Sequence, residues 1–277
     1  MPAETFWVDG EIGALVPPDD RGLALADGVF ETLRVAEGVI SWREYHEARL
    51  LQGLRVLSFS NPQDLASGLL MQTEQQLAAD LGAVSGTLRL TVTRGSGPRG
   101  YGLPIPEQPR SVVRFSPGLP DRLPPARLAI SPIAWAEQPV LAGCKLLART
   151  EQVLAMTGAR ASGFDEAIMC DPEGAWLSTA SGNLFLRLGS VLVTPPITAA
   201  GIAGTRRQVI IEQGAAALGY RVEVRAITLA DQQRADEAMF CNSVIGVRGI
   251  ESVEDRSFIC FEAAEALNHQ LHPATAV

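Results

Sequence analysis

Lysine is almost missing from this chain. Of its 23 basic residues, 22 are arginine, and the single lysine is Lys145. Arginine serves wherever a positive charge or an anion contact is enough. It cannot condense with an aldehyde or give up its proton near neutral pH, and lysine can do both. The one surviving lysine is therefore read as a nucleophile or base, against the plainer reading of a residual surface charge. Histidine is scarce too. His46, His269 and His272 are the only three, two of them near the C-terminus, which speaks against a zinc centre, so no metal is expected. The four cysteines are widely spaced with no CxxC pair, and read as reduced thiols of a cytoplasmic protein.

Long apolar runs are lacking as well. Glycine, proline or charge breaks each apolar stretch before it could span a bilayer, and no basic start precedes an apolar run at the N-terminus. Neither a membrane segment nor a secretory signal is expected. A net charge of −8 argues against nucleic acid as a partner, which calls for a basic face. It does not argue against a small anionic substrate, which meets a local site. There is no internal repeat or low-complexity tract. What is present is a globular composition, 47% apolar and 19% charged, in 277 residues, enough for one large domain or two ordinary ones.

Periodicity and punctuation indicate a mixed α/β or α+β chain. Strands are expected near Thr5–Val8, after the turn at Asp27-Gly28, and over Thr87–Thr93, which alternates apolar and polar residues. Ser41–Leu57 has apolar residues at helical spacing, with Ser41 as N-cap and Glu44 three residues on. Asn61-Pro62 opens a second helix running to about Leu81. The Pro- and Gly-rich stretch 116–126 reads as a linker between an N-terminal domain, 1–115, and a C-terminal domain, 127–277. Beyond it, strands are expected at Arg127–Ile133, Ala167–Cys170 and Arg221–Ile227, with a hairpin of Asn183–Leu186 and Val191–Thr194. Helices are expected at Leu146–Ala159 and Thr205–Leu218.

Gly95-Ser96-Gly97-Pro98-Arg99-Gly100 satisfies GxGxxG after a strand, and Asp121 stands about where a ribose-binding acid would. A dinucleotide site also needs a helix to start at those glycines. Pro104, Pro106 and Pro109 forbid one. The segment reads instead as a Gly-rich mobile loop carrying Arg99 and Tyr101, of the kind that closes over substrates or simply turns a corner.

Lys145 follows Gly143 in a stretch with few other charges, so a partly desolvated amine with lowered pKa is expected. Gly204 and Thr205 lead small residues into a helix N-terminus, an arrangement that binds anions and also serves as a plain cap. Arg49 sits on the first long helix, either as a solvated charge or as an anion contact. Asn242, Ser243 and Val244 end an apolar strand, where backbone N–H groups could receive a carboxylate or merely finish the strand. A lysine for an aldehyde, N–H groups and an arginine for a phosphate, and a partner for a ring nitrogen are what pyridoxal phosphate (PLP) asks of a protein.

Taken in order, Asp20-Arg21-Gly22, Asp27–Thr32, His46–Leu50, Arg94–Tyr101, Leu141–Lys145 with Glu151–Leu154, Asp165–Ala167, Asn183–Phe185, Gly201–Gly204 and Ala235–Glu237 resemble the class IV aminotransferase family. Within it the likeness is nearest to the aminodeoxychorismate lyases. The resemblance implies a fold-type IV PLP enzyme, with a small N-terminal α/β domain, a larger barrel-like C-terminal α/β domain, PLP in the cleft between them, and a homodimer. It makes Lys145 the Schiff-base lysine and Arg49 the phosphate-gripping arginine. Gly204 and Thr205 become the phosphate clasp, and Ser243 a further contact. Asn242 to Val244 form the turn that receives the substrate carboxylate, with Phe30 on a wall and Arg99 and Tyr101 at the substrate mouth. Two departures stand out. Many relatives have a Glu as partner of the ring nitrogen; counting back from Asn183, that position is Ser178, with Glu173 as the alternative if the loop bulges. Ala148 stands where lyase-like relatives often have Asn. A hydroxyl at Ser178 implies a weaker electron sink and poorer transamination. The expected reaction is conversion of 4-amino-4-deoxychorismate to 4-aminobenzoate and pyruvate. The alternatives are an aminotransferase for branched-chain or D-amino acids or amines, and a PLP-binding protein without catalysis.

Overall fold

The computed structural model describes residues 3–120 and 122–271; Asp121 and His272, both weighed above, lie outside them. The chain divides into two compact units, Met1–Pro120 with Cys144–Ala148, and Asp121–Gly143 with Arg149–Val277.

The first unit contains β1 (Thr5–Val8), β2 (Glu11–Ile12), α1 (Arg21–Leu25), β3 (Gly28–Ala36), β4 (Val39–Ile40), α2 (Arg43–Val56), α3 (Pro62–Asp80), β5 (Gly86–Thr93) and β6 (Arg110–Pro117). The strands form one antiparallel sheet in the order β2-β1-β6-β5-β3-β4. Strand alternation sorts its two faces. Val29, Leu33 and Val35 of β3 and Leu88, Leu90 and Val92 of β5 join the core with Leu50 and Leu54 of α2. Glu31 shares the core-facing row of β3 and is fully buried. Phe30 and Arg89 belong to the opposite rows.

Cys144–Ala148 groups with this unit, although in sequence it lies inside the stretch expected to form the C-terminal domain. The Phe30 N–H donates to the Lys145 carbonyl at 2.9 Å, and the Leu147 N–H to the Gly28 carbonyl at 3.1 Å. The segment thus lies extended beside the start of β3, and the helix expected from Leu146 begins only at Thr150 because those backbone groups are already paired. The Ser41 cap is likewise corrected. Its N–H donates to the Arg34 carbonyl, and α2 starts after Trp42, which takes the left-handed conformation with no side-chain cap.

The second unit contains β7 (Ala126–Ile130), α4 (Thr150–Ala161), β8 (Glu166–Cys170), β9 (Trp176–Thr179), β10 (Asn183–Leu188), β11 (Val191–Thr194), α5 (Thr205–Val209), α6 (Ala215–Ala217), β12 (Arg221–Val224), α7 (Leu229–Arg234), β13 (Glu237–Asn242), β14 (Gly246–Val253), β15 (Arg256–Ser257) and α8 (Glu262–Leu271). A π-turn at Ile210–Gly214 joins α5 to α6. The path β10-β13-β14-β7-β8-β9 returns to β10 where Ser178 pairs with Asn183, so these strands close into a barrel. Leu128, Ile168, Leu184, Leu186, Phe240 and Ile250 belong to its core cluster.

Glu237 ties the sheet to α8. Its carboxylate accepts the N–H groups of Ala263 (3.0 Å) and Ala264 (3.4 Å) and the Arg187 Nε–H (2.7 Å). An anion at a helix start is favourable, and charge-assisted bonds are the stronger ones. Glu237→Gln is therefore expected to cost about 2 kcal/mol, read as a lower denaturant midpoint; an unshifted midpoint would show the contact to be neutral.

Candidate active site

In the first unit, Lys145 is half-buried with its Nζ 4.3 Å from the centre of the Phe30 ring. The Arg89 guanidinium lies 3.7 Å from the same ring. Arg49 and His46 stand three residues apart on α2 and so face one way. They meet Glu31, which accepts Arg49 Nε–H at 2.8 Å and Nη2–H at 2.5 Å, with His46 Nδ1 at 2.6 Å. Burial alone would push the Glu31 carboxyl up. The Arg49 charge and hydrogen bonds, with those of His46, outweigh it and hold the carboxyl at about 2. Arg49 is thus neither a solvated charge nor an isolated anion contact: Glu31 fixes its fork. The roles of Glu31 and His46 went unread in the sequence, although a Glu in the core row of a strand is a signal for such a pair.

Residues 94–109 contain no helix, which removes the dinucleotide reading. Gly95 has φ +80°, and a Cβ there would lie 1.9 Å from the Gln108 carbonyl, so the loop closes on itself at its base. Asp27 accepts from both Arg21 and Arg94 at 2.8 Å, Arg94 pairs with Glu107, and Arg21 reaches the Gly100 carbonyl at 3.1 Å. Arg99 and Tyr101 ride on this anchored loop, Tyr101 89% exposed.

In the second unit, the residues singled out from sequence gather around Asn183. It pairs with Ser178 across β9 and β10 and with Cys241 across β10 and β13. Its Nδ2 donates to the Ile202 carbonyl at 2.9 Å. A Cβ on Gly204 would lie 1.9 Å from Asn183 Oδ1, so a larger residue at the start of α5 would push the Asn183 side chain from its place. Arg206 Nη2 donates to the Ser243 carbonyl at 3.3 Å. The turn expected to receive a carboxylate needs correction at one point. Asn242 Oδ1 accepts the N–H groups of Val244 and Ile245, both at 3.0 Å, so the Val244 N–H is already held.

Two hydroxyls here are buried without a hydrogen-bond partner among the described residues. They are Ser178 Oγ and Thr205 Oγ1, each on a residue 3% exposed. An unpaired buried hydroxyl is costly. Thr205 stands at the first turn of a helix, where free N–H groups suit a phosphate. Ser178 offers a neutral donor or acceptor suited to a ring nitrogen. The donor set fits PLP. Two of the four thiols are held away from the thiolate form: burial pushes Cys241 up to about 12 against the charges of Arg207 and Arg206, and burial with the Asp171 charge pushes Cys170 up to about 11.

The Amino-transferase class IV family model matches residues 28–253. The chain is 30% identical over 252 residues to the aminodeoxychorismate lyase of Vibrio harveyi, covering 90% of this chain and 91% of that one. It is 27% identical to a putative branched-chain-amino-acid aminotransferase of Methanocaldococcus jannaschii, over 89% of this chain and 85% of that one. Its fold is similar to the crystal structure of 4-amino-4-deoxychorismate lyase from Pseudomonas aeruginosa, with a TM-score of 0.87, 34% identity, and coverage of 98% and 99%. A family match over most of the chain, with a closed barrel and a donor set that fits the cofactor, establishes that the chain belongs to the class IV aminotransferases, PLP-dependent lyases and aminotransferases of fold type IV.

Proposed function

We propose that the chain is a lyase converting 4-amino-4-deoxychorismate to 4-aminobenzoate and pyruvate. The observation that carries this reading is the buried, unpartnered Ser178 hydroxyl at the position the resemblance gives to the ring-nitrogen partner. A carboxylate there would hold the nitrogen protonated by its charge; a hydroxyl does so poorly. Loss of pyruvate makes the product ring aromatic, which drives the reaction and tolerates a weaker electron sink. Amino-group transfer has no such help. Similarity to two lyases over nearly the full chain supports the same reading.

Bound PLP supplies an aldehyde for the substrate amine and an acceptor for an electron pair. In the first unit, the Lys145 amine is the covalent anchor. Its free amine would take the proton from the carbon beside the substrate nitrogen as general base. Arg49, held by Glu31, is that unit's phosphate contact. In the second unit, Gly204, Thr205 and the N–H groups opening α5 would hold the phosphate, Ser243 would add a contact, and the Ser178 hydroxyl would serve the ring nitrogen. Phe30, Arg99, Tyr101 and the Asn242 turn are the substrate contacts.

The test is to incubate the PLP-loaded protein with 4-amino-4-deoxychorismate and measure both products. Equal amounts of 4-aminobenzoate and pyruvate are expected. If neither forms while branched-chain or D-amino acids convert the cofactor to its amine form, the aminotransferase reading replaces this one. The 27% identity to a putative aminotransferase gives that alternative its weight. Ser178→Glu is expected to raise amino-group transfer about tenfold, about 1.4 kcal/mol of barrier, without raising lyase turnover. Half-reaction spectra with amino acids provide the measurement, and an unchanged transfer rate would count against the role of Ser178.

A further inference from the structure

Asp20-Arg21-Gly22 lies against the loop that carries Arg99 and Tyr101, and the two segments meet at three levels. At the base, the Arg21 N–H donates to the Gly95 carbonyl at 2.9 Å, the Thr93 hydroxyl donates to Asp20 Oδ2 at 2.8 Å, and Asp20 bridges to Ser96. In the middle, a Cβ on Gly97 would lie 2.8 Å from Arg21 Cδ, so the loop backbone rests on the stem of the arginine. At the tip, Arg21 Nη1 donates to the Gly100 carbonyl at 3.1 Å. Among the described residues, no other hydrogen bond or ion pair reaches residues 97–103. Arg99 and Tyr101, both exposed, flank that one carbonyl.

The arginine is itself held. It is 4% exposed, and its Nε–H donates to Asp27 Oδ2 at 2.8 Å, the oxygen that also accepts Arg94 Nε–H. Burial alone would push the Asp27 carboxyl up; the hydrogen bonds and charges of Arg94 and Arg21 outweigh it and hold the carboxyl below its usual value. Arg94 also binds Glu107 and the Leu57 carbonyl, so it secures the two ends of the loop, and Arg21 secures the tip. A planar guanidinium fixed on a carboxylate sets the direction of its remaining N–H groups as well as their distance.

We propose that Arg21 is a positioning residue for the substrate-contacting loop: bracketed between the Asp27 carboxylate and the Gly100 carbonyl, it sets where Arg99 and Tyr101 stand, and so how tightly an anionic substrate is held. Arg21 needs no contact with the substrate to do this. Without it the tip samples more conformations, which have to be narrowed when substrate binds, so KM rises while kcat changes little. The inference rests on the lyase reading and its assignment of Arg99 and Tyr101 as substrate contacts.

In the PLP-loaded protein, Arg21→Gln is expected to raise the KM for 4-amino-4-deoxychorismate about tenfold, the low end for a hydrogen bond from a charged group, with kcat and PLP affinity within about twofold. Gly97→Ala keeps every charge but pushes the arginine off its seat, and should move KM the same way. In an Arg99→Ala, Tyr101→Ala background the rise from Arg21→Gln should shrink to less than about twofold, because a residue that acts through the loop has nothing left to position. A rise of equal size in both backgrounds overturns the proposal. So does an unchanged KM, or a matching loss of PLP affinity, which would make Arg21 a support for the fold. Trypsin gives a readout without turnover. In full-length protein the Arg99–Gly100 bond should be cut about tenfold faster in Arg21→Gln and in Gly97→Ala, while cleavage after the exposed Arg122 keeps its rate. An unchanged rate at Arg99 also overturns the proposal. Failure of the lyase reading looks different: the wild type forms neither product, while the contrast in cleavage at Arg99 stays as measured.

Discussion

Lys145→Ala is expected to leave a folded protein that forms no borohydride-bleachable band with PLP and loses at least ~10³-fold in turnover, about 4 kcal/mol of transition-state stabilisation. The loss should be this large because nothing can stand in. The chain has no other lysine, its neighbouring cations are arginines, and the buried thiols of Cys170 and Cys241 are pushed far from the thiolate form. The fold should survive because the segment is held through its backbone. The Lys145 carbonyl and the Leu147 N–H make the bonds to β3, and alanine keeps both. Lys145→Arg separates charge from chemistry: it places a fixed cation at this position but no amine that can condense, so it should be as inactive as alanine. A bleachable band in either variant would remove Lys145 from its role.

How far such residues could be read in advance depends on the range of the interaction that places them. The β10–β11 hairpin, β5 and the start of α3 obey local rules of alternation, turn chemistry and proline at a first helical turn, and they lie close to where those rules put them. The helix expected at Leu146 failed because residues 145–147 spend their backbone groups on β3, more than a hundred positions away in sequence. Ser41 failed as a cap for the same kind of reason, its N–H going to β3. In the site, composition alone pointed to Lys145. Gly204 was visible as part of a small-residue run, but its neighbour was not: a Cβ there would displace the Asn183 side chain. Asn183 as the point where the barrel closes, and Asn242 as the group that occupies the Val244 N–H, are consequences of strand register around a closed sheet. No window of sequence contains them.

Glu31 is the other residue whose removal should be felt strongly. It is fully buried and is the shared anion of Arg49 and His46. Glu31→Gln leaves a buried guanidinium without its counter-charge, and breaking a buried pair from one side costs about 3–5 kcal/mol. The wild type should reveal the same interaction through pH. The carboxyl is lowered from 4.5 to about 2 in the folded chain. A depressed acid contributes its full stability above its unfolded value and loses it as pH falls through the folded value. The contribution, on the order of 3 kcal/mol, should thus be intact above pH 4.5 and fade between there and pH 2. Urea midpoints of wild type should fall across that window, and those of Glu31→Gln should start lower and fall less. Because Gln cannot hold the Arg49 fork by charge, the variant should also bind PLP more weakly at pH 7, where its stability can be restored with an osmolyte. Parallel acid profiles would mean that Glu31 is not the ionised partner. A lowered midpoint with unchanged PLP affinity would mean that it supports the fold without positioning Arg49 for the cofactor.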